Sequence, residues 1–422
     1  ACHLHVGKDG ALKSWRFSRA KICVAANIAY ENAQASYDDM YPGEDRGPGA
    51  SANSGSAGLD PGLRRGTVEP ELVSTALKPL WDCWTVLLAA RNRREPLELD
   101  LPERRVVLDE KGRIMSVAPR ERLDAHRLVE DYMIAANVAA AKALEKKKAP
   151  VMYRVHEAPG RDKLMGLKDY LATFDIEFAL GQVIRPAIFN RIIERIGAEH
   201  PARHEIMEQL LRTQMQARYG PERLGHFGLA LATYAHFTSP IRRYADLLVH
   251  RSLVDAYKLG DGGLPRGEEE KFEEIGEKIS MLERRAMEAE RETIDRYVAA
   301  YLSDQVGQLV QCRISGVQPF GFFATVEDLG GDGLVFVRDL GTEYFRYDEG
   351  ARQLIGEQTG ETYRVGQRLT LRLAEANPVS GSLRFELPEG SYGGPVPPRR
   401  DRQRPTGKRG RPANIRHQGK RR

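Results

Sequence analysis

The segment HFTSPIRRYADLLVHR, at residues 236–251, joins a Ser-Pro pair, two adjacent arginines and an apolar run. It predicts a helix that begins at Ser239 and Pro240, since serine is favoured as a helix cap and proline suits the first helical position. We expect that helix to run from Pro240 to Leu259. Its first turn then carries free backbone N–H groups at the positive end of the helix dipole.

Two adjacent arginines, Arg242 and Arg243, fall in that predicted first turn, where cations are unfavourable for the helix itself. The placement is explained if an anion binds there, for example a nucleic-acid phosphate held by backbone N–H groups and a guanidinium together. The ordinary alternative is an ion pair between Arg242 and Asp246, four residues later, with Arg243 in solvent. The residues alone leave both explanations open.

The chain of 422 residues is long enough for two or three domains. Its hydrophobic share of 41% and charged share of 29% are typical of a soluble globular protein. No apolar run reaches the roughly 18 residues that a membrane span needs, and no signal-peptide pattern opens the chain. The cysteines form no C-x-x-C pair, which argues against a zinc site or a disulfide framework and predicts a cytoplasmic setting. They are Cys2, Cys23, Cys83 and Cys312.

The C-terminal segment 399–422 is strongly basic, with 11 Lys or Arg and the single acidic residue Asp401. It carries a formal charge of +10, so the rest of the chain carries −5 of the total of +5. A polybasic segment with Pro and Gly is expected to be disordered and to bind a polyanion such as RNA or DNA. A merely solubilising tail is the alternative. Arg399 and Arg400 are candidate RNA contacts.

The region before residue 303 shows a mixed α+β pattern. The chain opens inside a predicted β-hairpin of His3–Val6 and Leu12–Ile22, and because a domain rarely opens within a hairpin we expect a preceding segment to be missing. Residues 44–66 are rich in Gly, Ser, Ala and Pro and predict a flexible surface loop. The predicted helices span 69–94, 124–148, 184–219 (one or two helices) and 268–302, and the predicted strands fall within 97–117.

The predicted helix 268–302 repeats small or apolar residues at a spacing of three and four, which predicts a packing seam against another helix. The repeated residues are Phe272, Ile275, Ile279, Leu282, Ala286 and Ala289.

Residues 306–387 are rich in short strands and predict a five-stranded OB-type barrel. Alternation along the strand places Phe320 and Phe322 on one face and Phe323 on the other. Exposed rings on such a strand stack on bases, whereas buried rings belong to the core, and the residues leave both roles open. The predicted strands are 309–314, 321–326, 333–337, 369–373 and 383–387.

This barrel region resembles the RNA-binding OB domain that is repeated in ribosomal protein S-one. The resemblance rests on Val306-Gly307, Phe320-Gly321-Phe322-Phe323, Gly333-Leu334-Val335-Phe336 and Val365-Gly366-Gln367. It implies that Phe320, Phe323 and Phe336 stack on bases, with Phe336 where many members carry histidine. A common face for Phe320 and Phe323 requires a bulge near Gly321.

The segment 236–251 resembles the signature of the RNB-type exoribonucleases, the family of ribonuclease II and ribonuclease R. Three further segments agree with that family in order, and the resemblance runs from about residue 3 to residue 388. They are IAYENAQA at 28–35, RLVEDYMIAANVAAAKALEKKKAPVMYRVHE at 127–157 and AERETIDRY at 289–297.

The RNB resemblance implies roles for four residues: Arg242 grips phosphates at the RNA 3′ end, Tyr30 stacks near the terminal base, Glu130 contacts the terminal nucleotide and Glu290 lies near the RNA path. Arg242, Glu130 and Glu290 are the catalytic candidates.

Two neighbours of Arg242, Arg243 and Tyr244, join Tyr30 as RNA-binding candidates. The residues alone also allow Tyr30 in the core, Glu130 paired with His126, and Glu290 paired with Arg291 or Arg284.

The same resemblance implies processive 3′→5′ hydrolysis of single-stranded RNA to nucleoside 5′-monophosphates, with magnesium held by a D-x(5)-D-x-D-D aspartate cluster. That cluster is expected upstream of this chain, because the motif does not occur in it. Asp38-Asp39, in a predicted turn, and the pair His3 and His5, on one strand face, are weak metal ligands by comparison.

We therefore expect an N-terminally incomplete RNB-type domain at 1–303, an OB barrel at 304–388 and a disordered basic tail at 389–422. A monomer is expected, whose tail contacts the ribosome or other RNA-decay factors. A non-catalytic RNA-binding module and a ribosome- or transcript-associated factor built on the barrel are the alternatives.

Overall fold

The structure is a computed structural model of the chain, and it combines helices, small sheets and a closed barrel. It describes residues 1–41, 68–99, 104–110, 114–119, 122–181, 183–197, 200, 202–327 and 329–388. The predicted loop at 44–66 and the basic tail from 389 onward lie outside these residues. No helix in the described part of the chain is both long and apolar enough to span a membrane.

The N-terminal hairpin is confirmed. Strand β1 (Cys2–Val6) pairs antiparallel with β2 (Leu12–Phe17). The second strand ends at Phe17 rather than at the predicted Ile22, and Ile22 is exposed in a stretch without helix or strand. Gly10 closes the turn at a φ of +71°, and a Cβ there would lie 2.1 Å from the carbonyl oxygen of Val86. Only glycine lets the turn approach that backbone so closely.

Helices α1 (Tyr30–Met40), α2 (Pro70–Leu72) and α3 (Lys78–Arg94) come next, and a π-helical turn, Val73–Leu77, joins the last two. The predicted helix 69–94 is thus confirmed, with one wide turn inside it. Strands β3 (Arg104–Leu108) and β4 (Ile114–Pro119) form the antiparallel pair expected within 97–117, with the second strand extending to Pro119.

Helix α4 (Asp124–Lys147) is the central helix, as predicted. Its alanines 139–141 and 143 are fully buried in one core with the first hairpin, because small side chains let the neighbouring elements approach closely. The elements that follow are β5 (Tyr153–Val155), α5 (Arg161–Ala172), α6 (Pro186–Ile196), α7 (Arg203–Thr213) and β6 (Arg218–Gly220). The sequence patterns did not predict α5 or the pairing of β5 with β6.

Helix α8 (Tyr244–Ala256) begins four residues later than predicted, and the long helix α9 (Phe272–Ser303) follows a short 3-10 turn. The predicted seam along α9 is wrong in its second half. Phe272 is buried, and the start of α9 packs against β6 and α8, but Leu282, Ala286 and Ala289 are exposed. Burial resumes at Val298, where the helix meets the barrel. The regular spacing spans two separate contacts with an uncovered stretch between them.

The predicted five-stranded barrel is confirmed, and it closes in the order β13-β14-β9-β8-β7. Its strands are β7 (Leu309–Gln318), β8 (Gly321–Val326), β9 (Asp332–Phe336), β13 (Arg368–Asn377) and β14 (Ser382–Glu386). A three-stranded sheet that the sequence patterns did not predict lies between β9 and β13: β10 (Phe345–Asp348), β11 (Gln353–Gly356) and β12 (Thr362–Arg364).

The barrel is fastened to α7 by a buried ion pair. Glu205 on α7 lies 3.2 Å from Arg313 on β7, with side-chain exposures of 2% and 17%. Arg352, in the turn between β10 and β11, donates a 2.6 Å hydrogen bond to Gln209 on the same helix. These contacts join the barrel to the helical part of the chain, while the predicted domain boundaries remain a prediction.

We expect Glu205→Ala to lower the free energy of unfolding by about 3–5 kcal/mol, because it leaves the Arg313 guanidinium buried without its partner. Urea unfolding followed by circular dichroism measures the loss. Glu292→Ala is the matched control, since Glu292 pairs with Arg296 on the exposed part of α9 and such pairs contribute less than about 1 kcal/mol. Equal losses in the two variants would show that the buried pair does not fasten the barrel.

Candidate nucleic-acid interface

The two adjacent arginines lie in a turn that precedes α8, so the predicted helix start at Ser239 and Pro240 is wrong. The backbone N–H groups of Arg242 and Arg243 donate to the carbonyl oxygen of Ser239, at 3.3 and 3.1 Å. Arg243 has an extended backbone and occupies the cap position of α8. Neither arginine is therefore in the first helical turn, and the argument from the helix dipole does not apply to them.

Asp246 determines the shape of this turn. Its carboxylate is fully buried, accepts the Ser239 N–H at 2.7 Å and lies 2.8–2.9 Å from the Arg243 guanidinium. The predicted alternative paired Asp246 with Arg242, but the pairing is with Arg243, three residues away rather than four. Arg243 therefore holds the turn in place, and its expected contact with RNA stays a prediction.

Arg242 is left exposed by this arrangement. Its guanidinium has no hydrogen bond or ion pair to any residue that the structure describes. Its neighbours Ile241 and Tyr244 are also exposed, and the Tyr244 hydroxyl donates to Glu268 at 3.3 Å. The chain thus presents a cation and two apolar side chains to solvent beside a rigid turn.

Asn137 on α4 anchors the backbone that leads into the turn, a role that sequence patterns did not reveal. The side chain is buried, and its oxygen accepts the N–H groups of Phe237 and Thr238 at 2.9 and 3.2 Å. Its amide donates to the Tyr234 hydroxyl at 2.9 Å. A buried polar residue on an Ala-rich helix is the signal that would have pointed to it, since such a group needs partners.

Tyr234 and His236 form an edge-to-face pair of rings beside the segment that leads to Arg242. The ring centroids are 5.5 Å apart. Burial, aided by the nearby charges of Arg243, Arg154, His226 and Arg242, lowers the pKa of His236 to about 2. Burial also raises the pKa of Tyr234, and the charge of Glu130 adds to that rise. The charge of Arg242 thus contributes to the pKa of His236, and the charge of Glu130 to that of Tyr234.

Glu130 lies on α4 beside two guanidiniums, and the alternative pairing with His126 is not found. It is 2.6 Å from Arg122 and 3.6 Å from Arg91. Arg91 also contacts the buried Asp131 at 3.1 Å. The two arginines offset the negative charge that Glu130 would otherwise present to an RNA strand.

Tyr30 is partly exposed at the start of α1, so the core alternative is wrong for it. One face of its ring is covered by His126 of α4, at a centroid distance of 4.2 Å and an interplanar angle of 21°. His126 and Glu130 are one helical turn apart. The structure therefore brings Tyr30 to the same end of α4 as Glu130.

Glu290 is not joined to this group by any contact between described residues. It lies on the exposed middle stretch of α9 and forms no hydrogen bond or ion pair with a described residue, so neither predicted pairing, with Arg284 or with Arg291, is found.

The barrel carries a second aromatic surface. Phe320 and Phe323 are exposed with ring centroids 6.1 Å apart, whereas Phe322 is fully buried in the core. The predicted shared face of Phe320 and Phe322 is wrong, because Phe320 lies in the turn before β8 and is not subject to strand alternation. No bulge at Gly321 is needed, since the register shift lies in the partner strand β7, between Ile314 and Gly316.

Phe336 ends β9 directly opposite Gly321, next to the two exposed rings. The Arg338 guanidinium lies 4.5 Å from the centre of the Phe336 ring. At Gly321 a Cβ would come 2.1 Å from the carbonyl oxygen of Val335, so only glycine allows the strands this approach. The three implied stacking residues therefore share one outer surface of the barrel.

The magnesium that the RNB resemblance implies has no group of ligands among the described residues. In the part of the chain that the structure describes, no three His, Cys, Asp or Glu side chains are grouped to hold a metal ion. Asp38 and Asp39 lie in the last turn of α1 rather than in the expected turn, and Asp38 accepts a hydrogen bond from Gln34. His3 and His5 do share an exposed strand face, without further ligands. Arg399 and Arg400 lie outside the described residues.

The buried imidazole of His236 predicts a loss of stability in acid. Its pKa is about 2 in the folded chain and 6.5 in an unfolded one, so below pH 6.5 only the unfolded chain takes up this proton. We expect the free energy of unfolding to fall by about 2 kcal/mol on this account between pH 7 and pH 5. His236→Asn, which keeps an acceptor for the Tyr219 hydroxyl, should have a shallower dependence by that amount in urea unfolding. An unchanged dependence would contradict a neutral buried His236.

The chain is similar to proteins of one known family. The RNB domain family model matches residues 1–258. Ribonuclease R of Vibrio cholerae is 38% identical over 324 residues, which cover 75% of this chain and 39% of that protein. Ribonuclease R of Vibrio parahaemolyticus is 38% identical over 399 residues, which cover 92% of this chain and 45% of that protein. The chain thus spans less than half of the length of these two relatives.

Among solved structures, Mycoplasma genitalium RNase R in complex with ribose-methylated single-stranded RNA superposes with a TM-score of 0.79. The match covers 92% of this chain and 57% of that one, at 24% sequence identity, and so it concerns the fold. Because the family model matches more than half of the chain, and ribonucleases R match it along its length, the chain belongs to the RNB domain family.

Proposed function

We propose that this chain engages the 3′ end of single-stranded RNA, as part of an RNB-family 3′→5′ exoribonuclease. The observation that carries the proposal is the exposed Arg242 guanidinium, which has no partner among the described residues and projects from a turn that Asp246 holds rigid. A planar guanidinium with five donors suits bidentate binding of phosphate. A preorganised turn also lowers the entropy that is lost on binding.

Two further candidate residues, Glu130 and Tyr30, support this assignment. Glu130 is an acceptor that can receive hydrogen bonds from ribose hydroxyls, and Tyr30 keeps part of its ring free for a base. Arg91 and Arg122 lie beside Glu130 and partly neutralise its charge, which reduces its repulsion of phosphates. We propose that the phosphate, sugar and base of the terminal nucleotide are each bound by a different one of these side chains.

The aromatic surface of the barrel supports a longer RNA contact. Phe320, Phe323 and Phe336 offer ring faces that accept any base, which fits the turnover of RNA without regard to sequence. Arg338, above Phe336, adds a cation that can bind backbone phosphate. We propose that this surface holds RNA upstream of its 3′ end. The structure of Mycoplasma genitalium RNase R in complex with ribose-methylated single-stranded RNA supports this proposal.

The reaction we propose is processive hydrolysis of phosphodiester bonds to nucleoside 5′-monophosphates. Magnesium would activate water and neutralise the phosphate, but the described residues provide no ligand group for it. We therefore assign this chain's residues to binding and orientation alone: Arg242 fixes the phosphate, and Glu130 and Tyr30 fix the nucleoside. Magnesium ligands outside the described residues, a monomeric state, a cytoplasmic setting and a tail that contacts ribosomes or RNA-decay factors belong to the same proposal.

A second candidate function is RNA binding without hydrolysis, which the lack of a metal-ligand group among the described residues favours. The two functions separate when the chain is incubated with 3′-tailed single-stranded RNA and magnesium, with and without a chelator. Release of mononucleotides that the chelator abolishes supports the nuclease. Retention of intact RNA supports the binding module.

Arg242→Ala tests the shared claim of 3′-end binding. We expect it to weaken binding of a fluorescein-labelled single-stranded RNA by about tenfold or more, because hydrogen bonds to charged groups contribute about 1.5–3 kcal/mol. Arg242→Lys should recover part of the affinity, since it keeps the charge and loses the planar fork. Fluorescence anisotropy in the presence of a chelator, at fixed salt, measures the Kd.

Arg191→Ala is the matched control, because Arg191 is also exposed and unpaired among the described residues but lies on α6, which carries none of the candidate residues. The proposal fails if Arg242→Ala and Arg191→Ala bind RNA equally well.

A further inference from the structure

We propose that His126 is a positioning residue, whose imidazole sets the plane of the Tyr30 ring for the 3′-terminal base. The inference rests on the proposed function, because it concerns the same end of the RNA. His126 itself would not touch RNA: the terminal base would stack on the open face of Tyr30, with His126 behind it as the third ring of one stack.

The position of Tyr30 makes such support necessary. It is the first residue of α1, and the backbone before it, from Ser18 to Ala29, forms no helix or strand. The side chain is 41% exposed, and its only ring contact with a described residue is the stack on His126. Without that contact the ring would be free to change rotamer, and each binding event would have to order it.

His126, by contrast, is fixed at the start of α4. Its Nδ1 accepts the backbone N–H of Leu123 at 3.2 Å, which ties the imidazole to the N-terminal end of the helix. That N–H needs a partner in any case, because the first turn of a helix leaves its donors unsatisfied. The ring orientation of His126 is therefore set by the fold rather than by a ligand.

A second contact joins the same two helices. Gln34, one turn after Tyr30 on α1, accepts the backbone N–H of Ala125 at 3.0 Å. Tyr30 and Gln34 thus share the face of α1 that meets the first turn of α4. The distance of 4.2 Å and the angle of 21° between the rings of Tyr30 and His126 are those of a parallel stack.

The proposed stack of the terminal base on Tyr30 and His126 does not depend on the identity of the base. A base has a π face whatever its identity, so an extended stack on Tyr30 fixes its plane without selecting its sequence. Glu130, one turn after His126, would then meet the edge of the same nucleotide. One face of α4 would determine both the plane of the terminal base and the hydrogen bonds of its nucleoside.

Two substitutions separate the two roles of His126. His126→Phe keeps an aromatic ring for the stack and removes the Nδ1 acceptor for Leu123. His126→Asn keeps an acceptor close to the Leu123 N–H and removes the ring. If positioning of Tyr30 is what matters for RNA, the first variant should resemble the unchanged chain and the second should resemble Tyr30→Ala.

The probe is a single-stranded oligouridylate that ends in 2-aminopurine, whose fluorescence is quenched when it stacks on an aromatic ring. The full chain is titrated with it in the presence of a chelator. We expect the unchanged chain and His126→Phe to quench the probe at saturation. His126→Asn and Tyr30→Ala should not quench it, and should weaken binding by about fivefold, the lower end of what base stacking contributes.

The outcomes are distinct for the two claims. Quenching by His126→Asn that equals the unchanged chain, while Tyr30→Ala does not quench, would overturn the role of His126 alone. Loss of quenching in a folded His126→Phe would also overturn it, since the ring would then be insufficient. If the unchanged chain does not quench and Arg242→Ala binds as well as it does, the proposed function itself is wrong. Circular dichroism and thermal unfolding establish that each variant is folded.

Discussion

The buried carboxylate of Asp246 is the constraint on which the candidate interface depends. An unpaired charge in this position would cost several kcal/mol, so the fold has to surround it with donors. It does so with the N–H of Ser239 and the guanidinium of Arg243. Both donors come from the turn before α8, and satisfying Asp246 therefore fixes the path of that turn. Arg242 lies between these two residues in the chain, has no partner among the described residues and faces solvent.

Helix α4 is the second determinant, because it carries three polar residues along one face. Asn137 holds the backbone that enters the turn, Glu130 lies between two arginines, and His126 supports Tyr30. The spacing of four and seven residues places these side chains one above the other. A rigid, Ala-rich helix in the main core thus positions the three side chains on which the proposed roles of Arg242, Glu130 and Tyr30 depend.

Local patterns predicted the elements whose burial follows their own periodicity. Helix α4 and the five barrel strands are found close to their expected bounds because one face of each is buried along most of its length. The exceptions depend on partners distant in sequence. The start of α8 is moved by Asp246, and the second half of the α9 repeat lies uncovered between two separate contacts.

Within the candidate site, a helical spacing of four residues predicted that Arg242 pairs with Asp246, but Arg243 forms that ion pair. The helical rule fails because the chain before Tyr244 is not helical. Phe320 likewise does not follow strand alternation, because it lies in a turn.

A double-mutant cycle on RNA affinity tests the coupling between Asp246 and Arg242 directly, with Asp246→Asn, Arg242→Ala and the two combined. We expect Asp246→Asn to weaken RNA binding in the folded chain, and Arg242→Ala to add little in its presence, because the misplaced arginine no longer contributes. Additive losses, or full affinity in Asp246→Asn, would contradict the dependence of Arg242 on this buried carboxylate.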